Sequence, residues 1–424
     1  MSEVRRLAVA FRTLGCKVNR VESESIAAEL LGQGCEVVGE DQAAVVVVNT
    51  CTVTGEADAK ARKAVRRALG AAGEPVVVVT GCLAALDREA LLALGERVVV
   101  EADKERVAAR VAEALGGGAV VSGAPESGTR HVRAGEGFRT RAMVKVQDGC
   151  DNFCGYCIVP HARGVPRSVA ADVVVAEVTA LADAGVREVV LTGINIGRYR
   201  DGATDLPGLM SRLVSTGIAR LRLSSLEPPD VTTELLAVMA AHADVVCPHL
   251  HLPLQSGSDS VLSAMGRRYT AAEYAKRVAA ARAWVPGLAV TTDVISGLPG
   301  ETDADAEETL RLCEEIGFAR LHVFRYSPRA GTPAAERNDQ VPAPVKAARA
   351  EALRGLDARL RDAHEASRAG DRAEILVERV EGDVAEGTTR DYLRVRVPAD
   401  CASPGDLIEV VLGEEHLTTE DDAS

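Results

Sequence analysis

Aromatic residues are scarce in this chain: 3% of 424, with a single Trp. Side chains able to stack on a nucleobase are therefore few, with Tyr199, Tyr269, Phe324, Tyr326 and Tyr392 the candidates. No window of about 18 apolar residues is free of charge, which argues against a membrane span and a membrane partner. The opening MSEVRRLAVAF has a basic pair but too short an apolar run for a secretory signal, so the expected location is cytoplasmic. There is no P-loop, no HExxH motif and no legible Ser-His-Asp set, which removes the commonest phosphoryl-transfer and hydrolytic chemistries. An excess of cations is also missing. The chain has 62 acidic against 49 basic side chains, net −13, whereas a nucleic-acid partner calls for Lys and Arg. That deficit is local. Residues 371–424 hold 15 acidic and 5 basic side chains, and the preceding 370 residues are nearly balanced at 47 and 44.

What is present is repeated alternation of β-rich and helical segments. In the first 115 residues, β-rich apolar runs at 7–11, 45–48, 76–79 and 98–100, the last three all or nearly all Val, alternate with Ala-rich helical stretches near 21–31, 57–69, 87–94 and 103–115. Near-continuous valines suit strands buried on both faces, hence a doubly wound parallel sheet over residues 1–118. Residues 119–138 are Gly-rich without an apolar period and read as a linker. Six longer βα units follow in 139–368, with strands expected near 142–147, 186–192, 219–224, 247–252, 288–295 and 319–325. This suggests a (βα)6-type partial barrel. Residues 369–415 alternate apolar and polar, as a small antiparallel β-domain does, and 416–424 form an acidic tail. The expected fold class is α/β with that β-domain appended.

The ten cysteines carry the chemistry. In a reducing compartment they are ligands, redox groups or core residues rather than a disulfide framework. Cys150, Cys154 and Cys157, in GCDNFCGYC, can hold three irons of a [4Fe–4S] cube and leave the fourth open to a ligand. The alternative is a zinc site completed by His161. The position directly after the first barrel strand, at the face where barrels build active sites, favours the cluster. Cys16, Cys51 and Cys82 each follow a strand of the first domain, 35 and 31 residues apart. Parallel strands bring all three to one sheet edge, the edge where open α/β sheets bind ligands. Three thiols there suit a second cluster with an open iron; the alternative is three small core residues. Cys35, Cys247, Cys313 and Cys401 are isolated in apolar runs and read as core.

These residues carry a resemblance. CDNFCGYC is similar to the radical S-adenosylmethionine signature, with Tyr156 as its aromatic. TLGCKVN, NTCTVT and TGCLA resemble the amino-terminal domain of the methylthiotransferases. LTGINIGRY, LSSLEPPD, HLHLPLQSGSD, VISGLPGE and LHVFRYSPRAGTPA resemble that family's barrel, and the terminal β-domain resembles a TRAM domain. TLGCKVN with NTCTVT looks most like the branch acting on threonylcarbamoyladenosine in tRNA. Sister branches act on isopentenyladenosine in tRNA or on an aspartate of a ribosomal protein. The resemblance implies two [4Fe–4S] clusters and S-adenosylmethionine, with the first cluster activating carbon 2 of the adenine and the second carrying the sulfur. It implies a tRNA anticodon stem-loop as substrate, plus a reductase and a sulfur donor as partners. Its cofactor-binding positions fall on Tyr156, Gly193, Asn195, Ser225, Glu227, Gln255, Ser256 and Gly297, although TGIN lacks the acidic residue that many radical enzymes carry nearby. An electron carrier would need neither this barrel nor an RNA-binding module.

Candidate phosphate contacts are Arg139, Arg141, Lys145, Arg163 and Arg167 around the barrel cysteines, and Arg267 and Arg268 after the fourth barrel strand. Arg379, Arg390, Arg394 and Arg396 lie in the β-domain. Arg62 with Arg66, and Lys63 with Arg67, form a stripe on one helix.

Overall fold

The computed structural model describes residues 8–114, 140–399 and 402–413. The expected linker, the acidic tail, Arg139 and Cys401 lie outside the described residues. The chain divides into two compact units.

The first unit takes in Met1–His131, Asp148–Pro166 and Ser327–Ala335. Its sheet is five-stranded and parallel, in the order Glu36–Val37, Ala8–Thr13, Val45–Thr50, Val76–Gly81, Val98–Val100. The valines alternate between two cores. Val46, Val48, Val77 and Val79 pack one face, and Val45, Val47 and Val78 the other. Burial on both faces is what the unbroken Val runs anticipate. The helices around this sheet are Lys17–Gly32, Gly55–Leu69, Cys82–Leu86, Arg88–Leu92 and Val107–Ala114, and the unit also holds the short helix Val159–Arg163. The stretch expected at 87–94 is the short helix Arg88–Leu92, and a second short helix not expected from the sequence, Cys82–Leu86, precedes it across Asp87, where the backbone leaves helical geometry.

The second unit takes in Val132–Gln147, Arg167–Tyr326 and Glu336–Ser424. Six parallel strands run in order: Arg141–Lys145, Glu188–Thr192, Arg220–Leu223, His249–His251, Ala289–Ser296 and Arg320–Arg325. The third and fourth join through the bridges Leu221–Val246 and Ser225–His251. Helices including Ala171–Asp183, Ala271–Trp284, Asp303–Ile316 and Ala343–Arg368 cover the outside, and Val189, Leu221, Leu250, Val290 and Leu321 pack against them. Thr270 with Glu273 and Thr302 with Asp305 form capping boxes, which fixes two of these helix starts. The terminal domain is a four-stranded antiparallel sheet: Arg394–Pro398, Val384–Thr389, Arg372–Glu381, Leu407–Val411.

Polar side chains facing the barrel interior join this sheet to the strands. Glu188 is fully buried and accepts from Arg222 at 2.7 and 3.2 Å, with Arg220 at 3.6 Å. Arg220 also donates to the Glu374 carbonyl (2.6 Å) and the Thr388 carbonyl (3.1 Å), and Arg222 to the carbonyls of Thr389 and Arg390. Tyr392 stacks on His249 with ring centres 4.8 Å apart and lies under Arg222 and Arg141. The β-domain thus closes one end of the barrel interior.

Candidate active site

In the first unit the three strands end at adjacent points, and a cysteine follows each end. Cys16 lies past Leu14 and Gly15, Cys51 directly after Thr50, and Cys82 directly after Gly81. Side chains lock these turns together. Asn19 donates to the carbonyls of Leu14 (2.8 Å) and Thr50 (2.9 Å), and Thr50 to the carbonyl of Thr80 (2.6 Å). Two glycines make the approach feasible. Gly15 and Gly81 both have φ of +94°. A Cβ on Gly15 would stand 2.5 Å from Cys51 Cβ, and one on Gly81 2.3 Å from the Thr50 carbonyl oxygen. Cys51 and Cys82 are buried, and Cys16 is exposed. Burial pushes the Cys51 thiol up, and Cys82 and Cys16 push it further. Burial also raises Cys82, opposed by Arg163 and Lys104. The three sulfurs therefore share one electrostatic environment at the sheet edge where ligands bind.

Arg163 sits in that environment. It ends the helix Val159–Arg163 that follows Cys157 and is buried. It donates to Asn19 (2.6 Å), Glu22 (2.9 Å) and Asp148 (2.9 Å), and its charge lowers the pKa of the neighbouring Cys82 thiol against the effect of burial. Lys104 pairs with Glu22. The loop carrying Cys150, Cys154 and Cys157 is therefore held in the same unit as Cys16, Cys51 and Cys82. Within the loop, the Cys150 amide donates to the Gly164 carbonyl (3.0 Å) and the Cys157 amide to that of Cys154 (2.8 Å). The Ala334 amide reaches the Gly155 carbonyl (2.8 Å), and Arg329 holds Asp58 and Thr52 at 2.6 Å beside Cys51. Tyr156 is half-buried in this loop. His161, the zinc alternative's fourth ligand, is exposed and packs edge-on against Phe153 with centroids 5.9 Å apart.

The second unit carries the other candidate cofactor positions at its strand ends. Gln147 Oε1 accepts from the amides of Ile194 (3.1 Å) and Asn195 (2.8 Å), which fixes the turn containing Gly193. A Cβ on Gly193 would lie 2.8 Å from the Gln147 carbonyl oxygen. Ser225 bridges to His251, and Glu227 pairs with Arg267. Gln255 holds φ of +70°, a strained value for a non-glycine residue, while its backbone pairs with Asp293 and Ile295. Ser256 is buried with its hydroxyl 3.3 Å from that of Thr309. The Gly297 amide donates to Glu301 (2.9 Å), and a Cβ at Gly297 would lie 2.3 Å from Lys346 Cγ. Motif reading missed Gln147 and Asp230, and it took Arg163 for a phosphate contact rather than a buried partner of the cysteine sites. Asp230 lies against Gly197, and burial, opposed by Arg198, raises its carboxyl. Each of the three acts through residues distant in sequence, so no local spacing marks it.

Comparison with known proteins decides the family. Residues 144–313 match the radical SAM superfamily, and residues 8–101 match the uncharacterized protein family UPF0004. The chain is 38% identical over 406 residues to threonylcarbamoyladenosine tRNA methylthiotransferase MtaB of Bacillus subtilis (strain 168), covering 91% of this chain and 89% of that one. It is 36% identical over 351 residues to the MtaB of Thermotoga maritima, covering 82% and 81%.

The chain belongs to the radical S-adenosylmethionine methylthiotransferase family.

The tRNA-2-methylthio-N(6)-dimethylallyladenosine synthase of Moorella thermoacetica is 34% identical over 428 residues, covering 94% of each chain. Among solved structures, the radical S-adenosylmethionine methyltransferase TsrM of Kitasatospora setae aligns with a TM-score of 0.59. Its identity is 14%, with 78% and 77% of the chains covered, which is likeness of fold alone. As a member of this family the chain is a radical S-adenosylmethionine enzyme with an iron–sulfur cluster. The donor chemistry fits: three thiols within eight residues sit on a loop braced by Gly164, Gly155 and Asp148.

The methylthiotransferase's expected RNA contacts change in the structure. Arg163 is buried in its own network, Arg62 pairs with Asp87, and Arg141 pairs with Glu378. In the TRAM-like domain, Arg390 donates to the carbonyls of Ala243, Asp244 and Val246, while Arg379 and Arg396 pair with Glu386. Among the stacking candidates, Tyr199, Tyr269 and Tyr326 are buried and Tyr392 is stacked on His249; Phe324 stays 45% exposed. Among the described residues no helix is long and apolar enough to cross a membrane.

Proposed function

We propose that this methylthiotransferase places a methylthio group at carbon 2 of N6-threonylcarbamoyladenosine, next to the anticodon of tRNA (position 37). The observation that carries the reading is the pairing of two cysteine triads in one unit, one on the loop after the first barrel strand and one at the edge of a parallel sheet. Each triad suits a [4Fe–4S] cluster with an open iron. When bound, the Cys150/Cys154/Cys157 cluster with S-adenosylmethionine supplies the radical chemistry that a carbon without an acidic proton needs, and the Cys16/Cys51/Cys82 cluster supplies the sulfur.

The chain's own residues hold and orient these groups. Gly193, Asn195, Ser225, Glu227, Gln255, Ser256 and Gly297 bind S-adenosylmethionine from the strand ends, with Tyr156 beside the cluster. Gln147 holds the Gly193–Asn195 turn in place. Arg163 compensates charge on Cys82 and braces the barrel-cluster loop through Asp148. The proposed functional modules are residues 1–118, 139–368 and 369–415, with Asp148–Pro166 and Ser327–Ala335 packed in the compact unit of the first. A reductase and a sulfur donor complete the cycle.

Nucleoside mass analysis of tRNA from a deletion strain tests the substrate. The expected result is loss of the methylthio group from threonylcarbamoyladenosine, restored by the gene. An unchanged profile, or loss from the prenylated adenosine, overturns this assignment.

A further inference from the structure

His251, Asp293 and His322 lie on three successive barrel strands, with their ligating atoms all within 4.8 Å of one another. Their neighbours Leu250, Val294 and Leu321 belong to the outer core. Strand alternation therefore puts the three on the interior face. His251 Nε2 lies 3.3 Å from Asp293 Oδ1, and its Nδ1 2.9 Å from the Thr291 hydroxyl. The His251 and His322 rings are 5.5 Å apart. One pleat away on the fourth strand, His249 stacks on Tyr392, so the cluster stands directly above the closed end of the interior.

Two further observations point to a ligand. Ser224, at the end of the neighbouring strand, is 4% exposed, and its hydroxyl has no hydrogen-bond partner among the described residues. Phe324, two residues beyond His322 and on the same face, is exposed. It stands about 7 Å further along the strand. Packing alone does not call for two imidazoles, a carboxylate and an unpartnered hydroxyl inside a barrel, because buried polar groups are normally satisfied.

We infer that this cluster reads the N6 side chain of the substrate, an inference that rests on the function proposed above. The ligand class is an adenine carrying a hydroxy-amino acid through a urea link, with a free carboxylate. The His322 imidazole and the Ser224 hydroxyl donate to the carboxylate and carbonyl oxygens, while His251, held between Thr291 and Asp293, orients the Asp293 carboxylate. Asp293 accepts from the urea N–H or the hydroxyl, and Phe324 offers the base a stacking face. A prenyl side chain has no polar atom. It would leave the buried Ser224 hydroxyl without a partner and offer His322 and Asp293 no polar atom, and a site built to hydrogen-bond a polar side chain rejects such an analogue by orders of magnitude. The cluster is then a specificity determinant between threonylcarbamoyl and prenyl substrates.

The test measures binding of the anaerobically reconstituted enzyme to three anticodon stem-loop RNAs, bearing threonylcarbamoyladenosine, dimethylallyladenosine or unmodified adenosine. The wild-type enzyme is expected to bind the first about tenfold or more tightly than the others. His322→Leu and Asp293→Asn are each expected to reduce that advantage roughly tenfold, with affinity for the unmodified RNA within about twofold of wild type. His322→Gln replaces His322→Leu if the latter misfolds. A preference that survives in the His322 and Asp293 variants overturns this inference alone. A wild-type enzyme with no preference overturns the substrate assignment and this inference with it. The same three ligands could hold a divalent metal. About one non-iron ion per wild-type chain, lost in the His322 variant, would identify a metal centre and overturn the substrate-reading role.

Discussion

Replacing Cys51 with alanine is expected to lower the iron content of reconstituted protein from about eight to about four per chain. The same variant should still cleave S-adenosylmethionine to 5′-deoxyadenosine and yield no methylthiolated RNA. The asymmetry follows from where the residue sits. Cys51 follows the strand Val45–Thr50, and its electrostatic partners are Cys82 and Cys16. The barrel-cluster loop is held by contacts that do not involve Cys51: Cys150 to Gly164, Cys157 to Cys154, Ala334 to Gly155, and Arg163 to Asp148. Alanine at position 51 keeps the small, buried shape, so the sheet persists while a ligand is lost. Cys154→Ala supplies the opposite arm, losing both 5′-deoxyadenosine and product. Iron analysis, deoxyadenosine yield and RNA mass spectrometry read the three quantities. Full methylthiolation by Cys51→Ala, or four irons in the wild type, would sink the two-cluster assignment.

Much of the fold was legible because its signals are local. The Val runs of the first domain are continuous, and the structure buries them on both faces of a parallel sheet. The helix expected at 303–316 is bounded by a Thr302–Asp305 capping box and the left-handed Gly317, and both signals are written in adjacent residues. The cysteine triads were legible for the same reason, each following a strand end. Arginine was harder. Periodicity tells which face a side chain occupies, never which distant residue waits there. Arg163 reads as a candidate phosphate contact, yet it is enclosed by Asn19, Glu22 and Asp148. Arg390 reads as part of an RNA-binding domain, yet it is committed to barrel carbonyls. The acidity of residues 371–424 has a partial structural reason: Glu374 and Glu378 pair with Arg220 and Arg141, so some of that charge serves docking. The interior cluster of His251, Asp293 and His322 spans 71 residues, and only strand order brings it together.

Replacing Glu188 is expected to have the largest effect on the second unit. This carboxylate is fully buried among three arginines: Arg222 at 2.7 Å, Arg220 at 3.6 Å and Arg141 at 4.0 Å. Burial would raise its pKa. The attraction of Arg222, then Arg141 and Arg220, outweighs burial and holds it below the usual carboxylate range. Glu188→Gln keeps the shape and removes the charge, leaving Arg222 and Arg220 buried without their shared partner. Breaking a buried pair in this way typically costs about 3–5 kcal/mol. The same arginines bind the carbonyls of Glu374, Thr388, Thr389 and Arg390, so the loss should appear first as detachment of the terminal sheet. Amide exchange in Arg372–Glu381 and Val384–Thr389 is expected to accelerate by about 100-fold or more, since each 1.4 kcal/mol is about tenfold. The pH dependence has a definite sign. A carboxyl whose folded pKa is depressed contributes its full stability above its unfolded value, near 4.3, and loses it as pH falls through the folded value. The gap between wild type and Glu188→Gln should therefore hold from pH 7 to about pH 5 and close in stronger acid. A gap below about 1 kcal/mol at pH 7, or one that widens on acidification, would show that Glu188 does not hold the arginines that anchor the terminal sheet.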